Sequence, residues 1–232
     1  MKINLPSVTL MCIDCVDAQR ALSVLEVCQK EINFGSVKLL TSIPIENKYV
    51  VKIKPLNSLI AYSIFMMSKC YQYIDTEFVL ISQRDGFIIN PSSWDDNFLK
   101  YDFIGPLFIQ YPKVGSGGFS LRSKKIMEAI SKTIPDWDWT QRGADKIQSG
   151  ISMYEDGMIS LSQFGKAFNI APPEVACEFA QGGNREPQYL RENSFGFHRT
   201  WQNIDFKTGL IDSTDTTRDL SVTYDHEIDA LV

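Results

Sequence analysis

"FVLISQRDGF", residues 78–87, is the stretch on which the reading of this chain turns. The apolar run Phe78-Val79-Leu80-Ile81 suits the dry interior of a sheet. It stops at Gln83, Arg84 and Asp85, and after Gly86 a second apolar run, Phe87-Ile88-Ile89, begins. A carboxylate is rarely buried unless it is paired or bound to a metal. The ligand site of an open α/β sheet also lies outside the carboxyl ends of its strands. Asp85 is therefore either a turn residue satisfied by local amides or the anchor of a site.

The flanking segments show what kind of sheet this strand joins. "SVTLMCID" (7–14) reads as a first buried strand, "SVKLLTS" (36–42) as a second and "KYVVKI" (48–53) as a third. Between the first two, residues 17–32 keep a 3.6-residue apolar period through Ala21, Leu22, Leu25, Cys28 and Ile32, with Asp17 placed to cap the helix. A second helix, capped by Asn57 or Ser58, presents Ile60, Ile64, Met67, Tyr71 and Ile74 and leads straight into the opening strand. Strand and helix alternating through short joins predict β-α-β units and a mostly parallel, Rossmann-like sheet. Beyond Asp85, "SSWDDNFLKY" predicts a short capped helix, "DFIGPLF" a strand and "KKIMEAISK" a helix capped by Ser123. Residues 133–150 read as loop, and a further helix starts near Ser152 and runs to about Phe168. There is no internal repeat or Ser/Gly linker, so one α/β domain over residues 1–203 is expected.

With 232 residues, 44% of them hydrophobic and 22% charged, the composition is that of an ordinary globular protein able to bury a sizeable core. The net charge of −5 resides in residues 204–232, where seven acidic side chains face two basic ones. The remainder is formally neutral and gives no broad electrostatic reason to bind nucleic acid. The polar, Ser/Thr-rich 204–232 stretch is expected to be a solvated or partly disordered extension. No apolar run approaches the ~20 residues of a membrane span, and no signal peptide is evident, so a cytoplasmic location is expected. Five cysteines suggest free thiols. Cys12-Ile13-Asp14-Cys15 has no second nearby pair to complete a zinc site, which favours core and near-core positions for these residues.

Four polar clusters remain. Gly115-Ser116-Gly117-Gly118-Phe119-Ser120 lacks the Gly-Lys-Ser/Thr ending of a phosphate loop. Gly117-Gly118 is either a tight turn or a place where a ligand approaches the backbone. In "SMYEDG", Ser152 and Glu155 fit a capping box. Asp156 is either an acid favoured by the helix dipole or a general base for an acceptor hydroxyl. His198, in "FGFH", is one of two histidines, and with Asp85 it would make a mixed O/N site suited to a divalent ion. Trp137-Asp138-Trp139 either stacks on a ligand or folds back on the body.

Taken in order, these features resemble the nucleotide-sugar-dependent glycosyltransferases of GT-A fold. The segments "YSIFMMSKCYQYIDTEFVLISQRDGFIINPSSWDDNFLKYDFIG", "GSGGFSLRSKK", "YEDGMIS" and "FGFH" are similar to a bacterial and viral glycosyltransferase-like family, over roughly residues 7 to 200. The resemblance implies that Asp85 holds the last position of an Asp-x-Asp motif, binding a divalent metal (manganese or magnesium) on the donor diphosphate, with His198 completing that site. Gln83 stands where the motif has its first Asp, a departure that removes a charge. The resemblance further implies a catalytic Glu155-Asp156 pair with Asp156 as the base of an inverting transfer. Gly117 and Gly118 would lie at the donor sugar and acceptor, and Asp14 and Thr41, at the exits of the first two strands, at the nucleoside. The acceptor is left open among a glycan, a lipid-linked sugar, a protein and a modified nucleic-acid base. Two rivals stand beside this reading. A nucleotidyltransferase would want a basic Gly-rich loop after the first strand, where "CIDCVDAQR" offers only Arg20. A catalytically idle nucleotide-sugar-binding protein is favoured by Gln83.

Overall fold

The computed structural model describes residues 2–107, 115–133, 155–161, 166–182, 187–198, 203–205 and 210–212. Trp137, Asp138, Trp139, Ser152 and most of the acidic stretch lie outside them. In chain order the first unit, Met1–Arg199, contains β1 (Ile3–Ile13), α1 (Ala18–Cys28), β2 (Ile32–Thr41), β3 (Val50–Lys52), α2 (Leu59–Ser68), β4 (Phe78–Ser82) and β5 (Gly86–Ile88). There follow β6 (Phe103–Ile104), β7 (Phe119–Ser123), α3 (Lys124–Thr133), α4 (Glu155–Leu161), α5 (Pro173–Phe179), β8 (Ala180–Gln181) and β9 (Gly196–His198). A second unit, Thr200–Val232, contains β10 (Asn203–Asp205) and β11 (Leu210–Asp212), an antiparallel pair. The acidic stretch thus carries at least this one strand pair among the described residues.

The main sheet has six strands in the order β3-β2-β1-β4-β7-β6. Its first four strands run parallel, and β7 and β6 are antiparallel additions. Helices cover both faces of the centre, which is why β1 and β4 read as continuous apolar runs rather than alternating ones. Met11, Ile13, Val79 and Ile81 join Met66 and Met67 of α2 and Ile126, Met127 and Ile130 of α3 in one core cluster. Cys28 of α1 reaches Ser82 of β4 from the other face, its sulfur 3.8 Å from the hydroxyl. No helix among the described residues is long and apolar enough to cross a membrane.

Local capping behaves as the sequence implies. Asp17 accepts from the Arg20 amide, Ser58 from Ala61 and Ser123 from Ile126. Two expectations are corrected. "SSWDDNFLKY" forms two 3-10 turns, Pro91–Ser93 and Asp96–Lys100, rather than one helix, because Asp95 caps the second at Asn97 and breaks the continuity. The buried face of α2 is Ser63, Met66 and Met67, while Ile60 is exposed. All five cysteines are free thiols, and Cys12, Cys28, Cys70 and Cys177 are buried. Burial pushes the thiols of Cys28 and Cys70 up to about 11 and 12, which makes them inert fillers of the core.

A second sheet, β5-β9-β8, sits past the exit of β4. Its register sets Gly86 opposite His198. In the main sheet, β7 runs back along β4 with Phe119 opposite Ser82. Those two pairings bring the residues before β7 and the end of β9 to the strand exit that carries Asp85.

Candidate functional site

The strand exit is a tight turn. The Gly86 amide donates to the Gln83 carbonyl at 3.0 Å and the Ser82 hydroxyl to the Gly86 carbonyl at 2.6 Å, leaving Arg84 and Asp85 at the tip. The Gln83 amide nitrogen donates to the Gly118 carbonyl at 2.8 Å, which ties the Gly-rich segment to this turn. Gly118 has to be glycine. A Cβ there would stand 2.0 Å from His198 Nε2, because the imidazole lies flat against the Gly118 backbone.

His198 is buried, and its Nδ1 is 2.7 Å from Ser116 Oγ. Its Nε2 makes no hydrogen bond among the described residues, and Asp85 Oδ1 stands 3.5 Å from it. The Asp85 side chain is 44% exposed. This pair fits a divalent cation. A buried imidazole nitrogen without a hydrogen bond seeks a partner. Two atoms 3.5 Å apart can share one ion when metal–ligand distances are about 2.0–2.2 Å. No cluster of three or more metal-binding side chains occurs among the described residues, so further ligands would come from a bound diphosphate or water.

Asp156 meets the same loop from α4. Its Oδ2 accepts from the Gly117 amide at 3.0 Å and its Oδ1 from the Gly157 amide at 2.7 Å. Desolvation, and after it the neighbouring Glu155 charge, push this carboxyl up to about 7, against the pull of the two amides and of Arg122. A carboxyl poised there can exchange a proton at neutral pH.

Glu155 is more than a helix cap. It is buried, its Oε1 accepts from Arg122 Nη2 at 3.1 Å and its Oε2 from Ser63 Oγ at 3.3 Å. Ser152, the other half of the expected capping box, lies outside the described residues. Both carboxylate oxygens are committed across the fold because Arg122, 0% exposed, needs a counter-charge.

Asp14 and Thr41 have local work of their own, Asp14 beside the turn that carries Asp85. Asp14 Oδ1 accepts from the amides of Val16 and Asp17, and its Oδ2 pairs with Arg84 at 3.3 Å. Thr41 is fully buried and accepts from the Ile43 amide. The Gln83 side-chain amide donates to the Tyr62 hydroxyl at 3.0 Å, so it serves as a strut to α2.

Arg122, Ser116, Ser63 and Tyr62 were not singled out from the sequence. Only Arg122 left a signal there: an arginine two residues after Ser120 inside the apolar strand "FSLRS", where a charge must have a buried partner.

A family model described as "Protein of unknown function (DUF5672)" matches residues 44–198. The chain belongs to this family. No curated protein matches it. Among solved structures, one described as a glycosyltransferase involved in the glycosylation of the major capsid of PBCV-1 is 13% identical, with a TM-score of 0.50 over 88% of this chain and 96% of that one. The glycosyltransferase GlyE of Streptococcus pneumoniae TIGR4, apo-form, is 12% identical, with a TM-score of 0.49 over 86% of this chain and 55% of its own. The mannosyltransferase PcManGT from Pyrobaculum calidifontis, in complex with GDP-Man and Mn2+, is 10% identical with a TM-score of 0.47 over 75% of this chain and 58% of its own. The first of these shows what is shared, a GT-A-like α/β fold, in keeping with the sheet order described above.

Proposed function

We propose that this DUF5672 chain is a glycosyltransferase that moves a sugar from a nucleotide-sugar donor to an acceptor hydroxyl, with a divalent cation and with inversion. The observation that carries the proposal is a convergence. Asp85, Gly117-Gly118, Asp156 and His198 come from four distant segments and join in one connected cluster at a sheet exit. A merely structural loop has no reason to bring a cation-competent pair and a carboxyl with a pKa near 7 to the same glycines.

Asp85 Oδ1 and His198 Nε2 would hold the cation, with Ser116 fixing the imidazole through Nδ1. Manganese or magnesium, when bound, would supply charge neutralisation to the donor's diphosphate. Asp156 takes the acceptor proton as the acceptor oxygen bonds to the anomeric carbon. The carbon–oxygen bond to the diphosphate breaks, and the nucleoside diphosphate leaves with the electron pair. Attack from the face opposite the leaving group inverts the anomeric centre. The glycine pair lets His198 and the Arg122–Glu155 pair close directly on the loop backbone, which brings both to the reacting centre. The nucleoside lies toward the exits of β1 and β2, where Asp14 anchors Arg84 and Thr41 shapes the turn at Ile43.

The test is a thermal-shift and hydrolysis screen of nucleotide sugars, with and without manganese, on the wild type and on Asp85→Asn. A donor at 100 times its Kd stabilises the fold by about 2.7 kcal/mol. The proposal expects at least one donor to do so with manganese, to be turned over, and to lose its manganese dependence in Asp85→Asn. Manganese-dependent binding without turnover would instead support an idle binding protein, the reading that the Gln83–Tyr62 strut favours.

A further inference from the structure

One fully buried guanidinium reaches every part of the Asp156 environment, and the proposed transfer assigns it no role. Arg122 Nε donates to Ser120 Oγ at 2.9 Å, while its Nη2 donates both to the Gly117 carbonyl at 3.2 Å and to Glu155 Oε1 at 3.1 Å. Ser120 Oγ in turn donates to the same Gly117 carbonyl at 2.8 Å. Gly117 is thus gripped twice at its carbonyl, and its amide is the group that donates to Asp156. A Cβ on Gly117 would stand 2.7 Å from both Arg122 Nη2 and Glu155 Oε1, so the loop is pressed directly onto the ion pair. Arg122 is stacked 5.3 Å from the Phe103 ring, and its Nη1 makes no hydrogen bond among the described residues. A solvent-exposed salt bridge would be shorter-lived and would need none of this enclosure.

We infer that Arg122 is a positioning residue for the proposed base: by holding Ser120 through Nε and the Gly117 carbonyl and Glu155 carboxylate through Nη2, it aims the Gly117 amide at Asp156 and sets the charge beside it. This rests on the proposed role of Asp156 and deepens it. The charged groups around Asp156 are Glu155 on its own helix and Arg122 on β7, with the Tyr62 hydroxyl on α2 facing Glu155 and Arg122 in turn. A planar guanidinium holds Ser120 through one nitrogen while another holds the carbonyl and the carboxylate, and an ammonium, with its single nitrogen, cannot reproduce that three-way grip. Arg122→Lys therefore keeps the charge and loses the grip.

The experiment is a carbon-13 carboxyl NMR titration of Asp156, assigned by its disappearance in Asp156→Asn, in the wild type, Arg122→Lys and Ser120→Ala. Losing the aimed amide removes a bond to the ionised carboxylate, so the Asp156 midpoint should rise by a threefold or greater change in proton affinity in Arg122→Lys. In Ser120→Ala the change should have the same sign and be smaller. A side chain that only fills space would, when replaced, admit water and send the midpoint down toward an ordinary carboxylate. An unchanged or lowered midpoint overturns the inference, and Ser120→Ala decides it alone if Arg122→Lys does not fold. Transfer is measured in parallel. With an active donor, Arg122→Lys should lose tenfold or more in turnover with donor affinity unchanged, since small misplacements of a catalytic group cost that much. A raised midpoint in a protein that transfers no sugar would uphold the positioning role and defeat the glycosyltransferase reading.

Discussion

Gly118→Ala is the most informative single change, because its effect can be worked from one contact. The added methyl would stand 2.0 Å from His198 Nε2, 2.4 Å from Cε1 and 2.5 Å from Cδ2. Non-bonded heavy atoms settle at roughly 3.5–4.0 Å, so the ring or the loop must move by about 1.5 Å. Neither is loose. The imidazole is buried and held at Nδ1 by Ser116, and the Gly118 carbonyl is held by the Gln83 amide. Overpacking of this kind costs about 1–3 kcal/mol, and each kcal/mol lowers the Tm of a chain this long by about 2–4 °C. The displaced ring also carries Nε2 away from Asp85, so manganese-dependent donor stabilisation should vanish with the fold intact. The assay is a double-mutant cycle with His198→Ala, read by urea unfolding. Once the imidazole is gone the methyl has space, and Gly118→Ala should then cost less than about 0.5 kcal/mol, a coupling of at least about 0.5 kcal/mol. Equal costs in the two backgrounds would refute the packing of His198 on Gly118, and with it the route by which His198 reaches Asp85.

Three further outcomes follow from the same geometry. Asp156→Asn should reduce sugar transfer by roughly 10²-fold with donor affinity nearly unchanged, checked by single-turnover rates and calorimetry. Its stability should also diverge from the wild type with pH. The folded carboxyl, raised to about 7, contributes stability that is complete below the unfolded value of about 4 and is lost as pH rises through about 7. Urea melts from pH 4 to 8 should therefore show Asp156→Asn gaining on the wild type as pH rises, and a flat difference would contradict the buried setting of Asp156. Glu155→Gln should destabilise by about 3 kcal/mol, because it leaves Arg122 charged, enclosed and without a counter-ion. A loss below about 0.5 kcal/mol would return Glu155 to a simple capping role.

What could be read from the sequence was local. Asp17, Ser58 and Ser123 cap their helices through amides three residues on, so their function is contained in a short window. The apolar runs of β1 and β4 declare a sheet covered on both faces, and the change at Gln83 marks the strand exit without any coordinates. Asp85, Asp156 and His198 could be named because a charge or an imidazole in such places wants a reason. Their company was suggested only by the resemblance, and spacing along the chain could not supply it. His198 meets Asp85 only because β9 pairs with β5, and Gly118 meets the turn only because β7 runs back along β4. Register between strands distant in sequence is set by packing of the whole sheet, which no short window contains. The same holds for Glu155. A capping box is its natural local reading, yet Arg122 and Ser63 claim both its oxygens, because a guanidinium sealed from water must find a carboxylate wherever the fold supplies one. Ser63 of α2 faces inward to Glu155 and Ile60 faces solvent, the reverse of what the apolar period of α2 implies. Sequence alone determined the four parallel strands, the caps and the residues worth watching, but not β7 or the second sheet. Tertiary structure decided which of them touch, since charges and hydrogen-bonding groups removed from water are satisfied by position in space and not by distance along the chain.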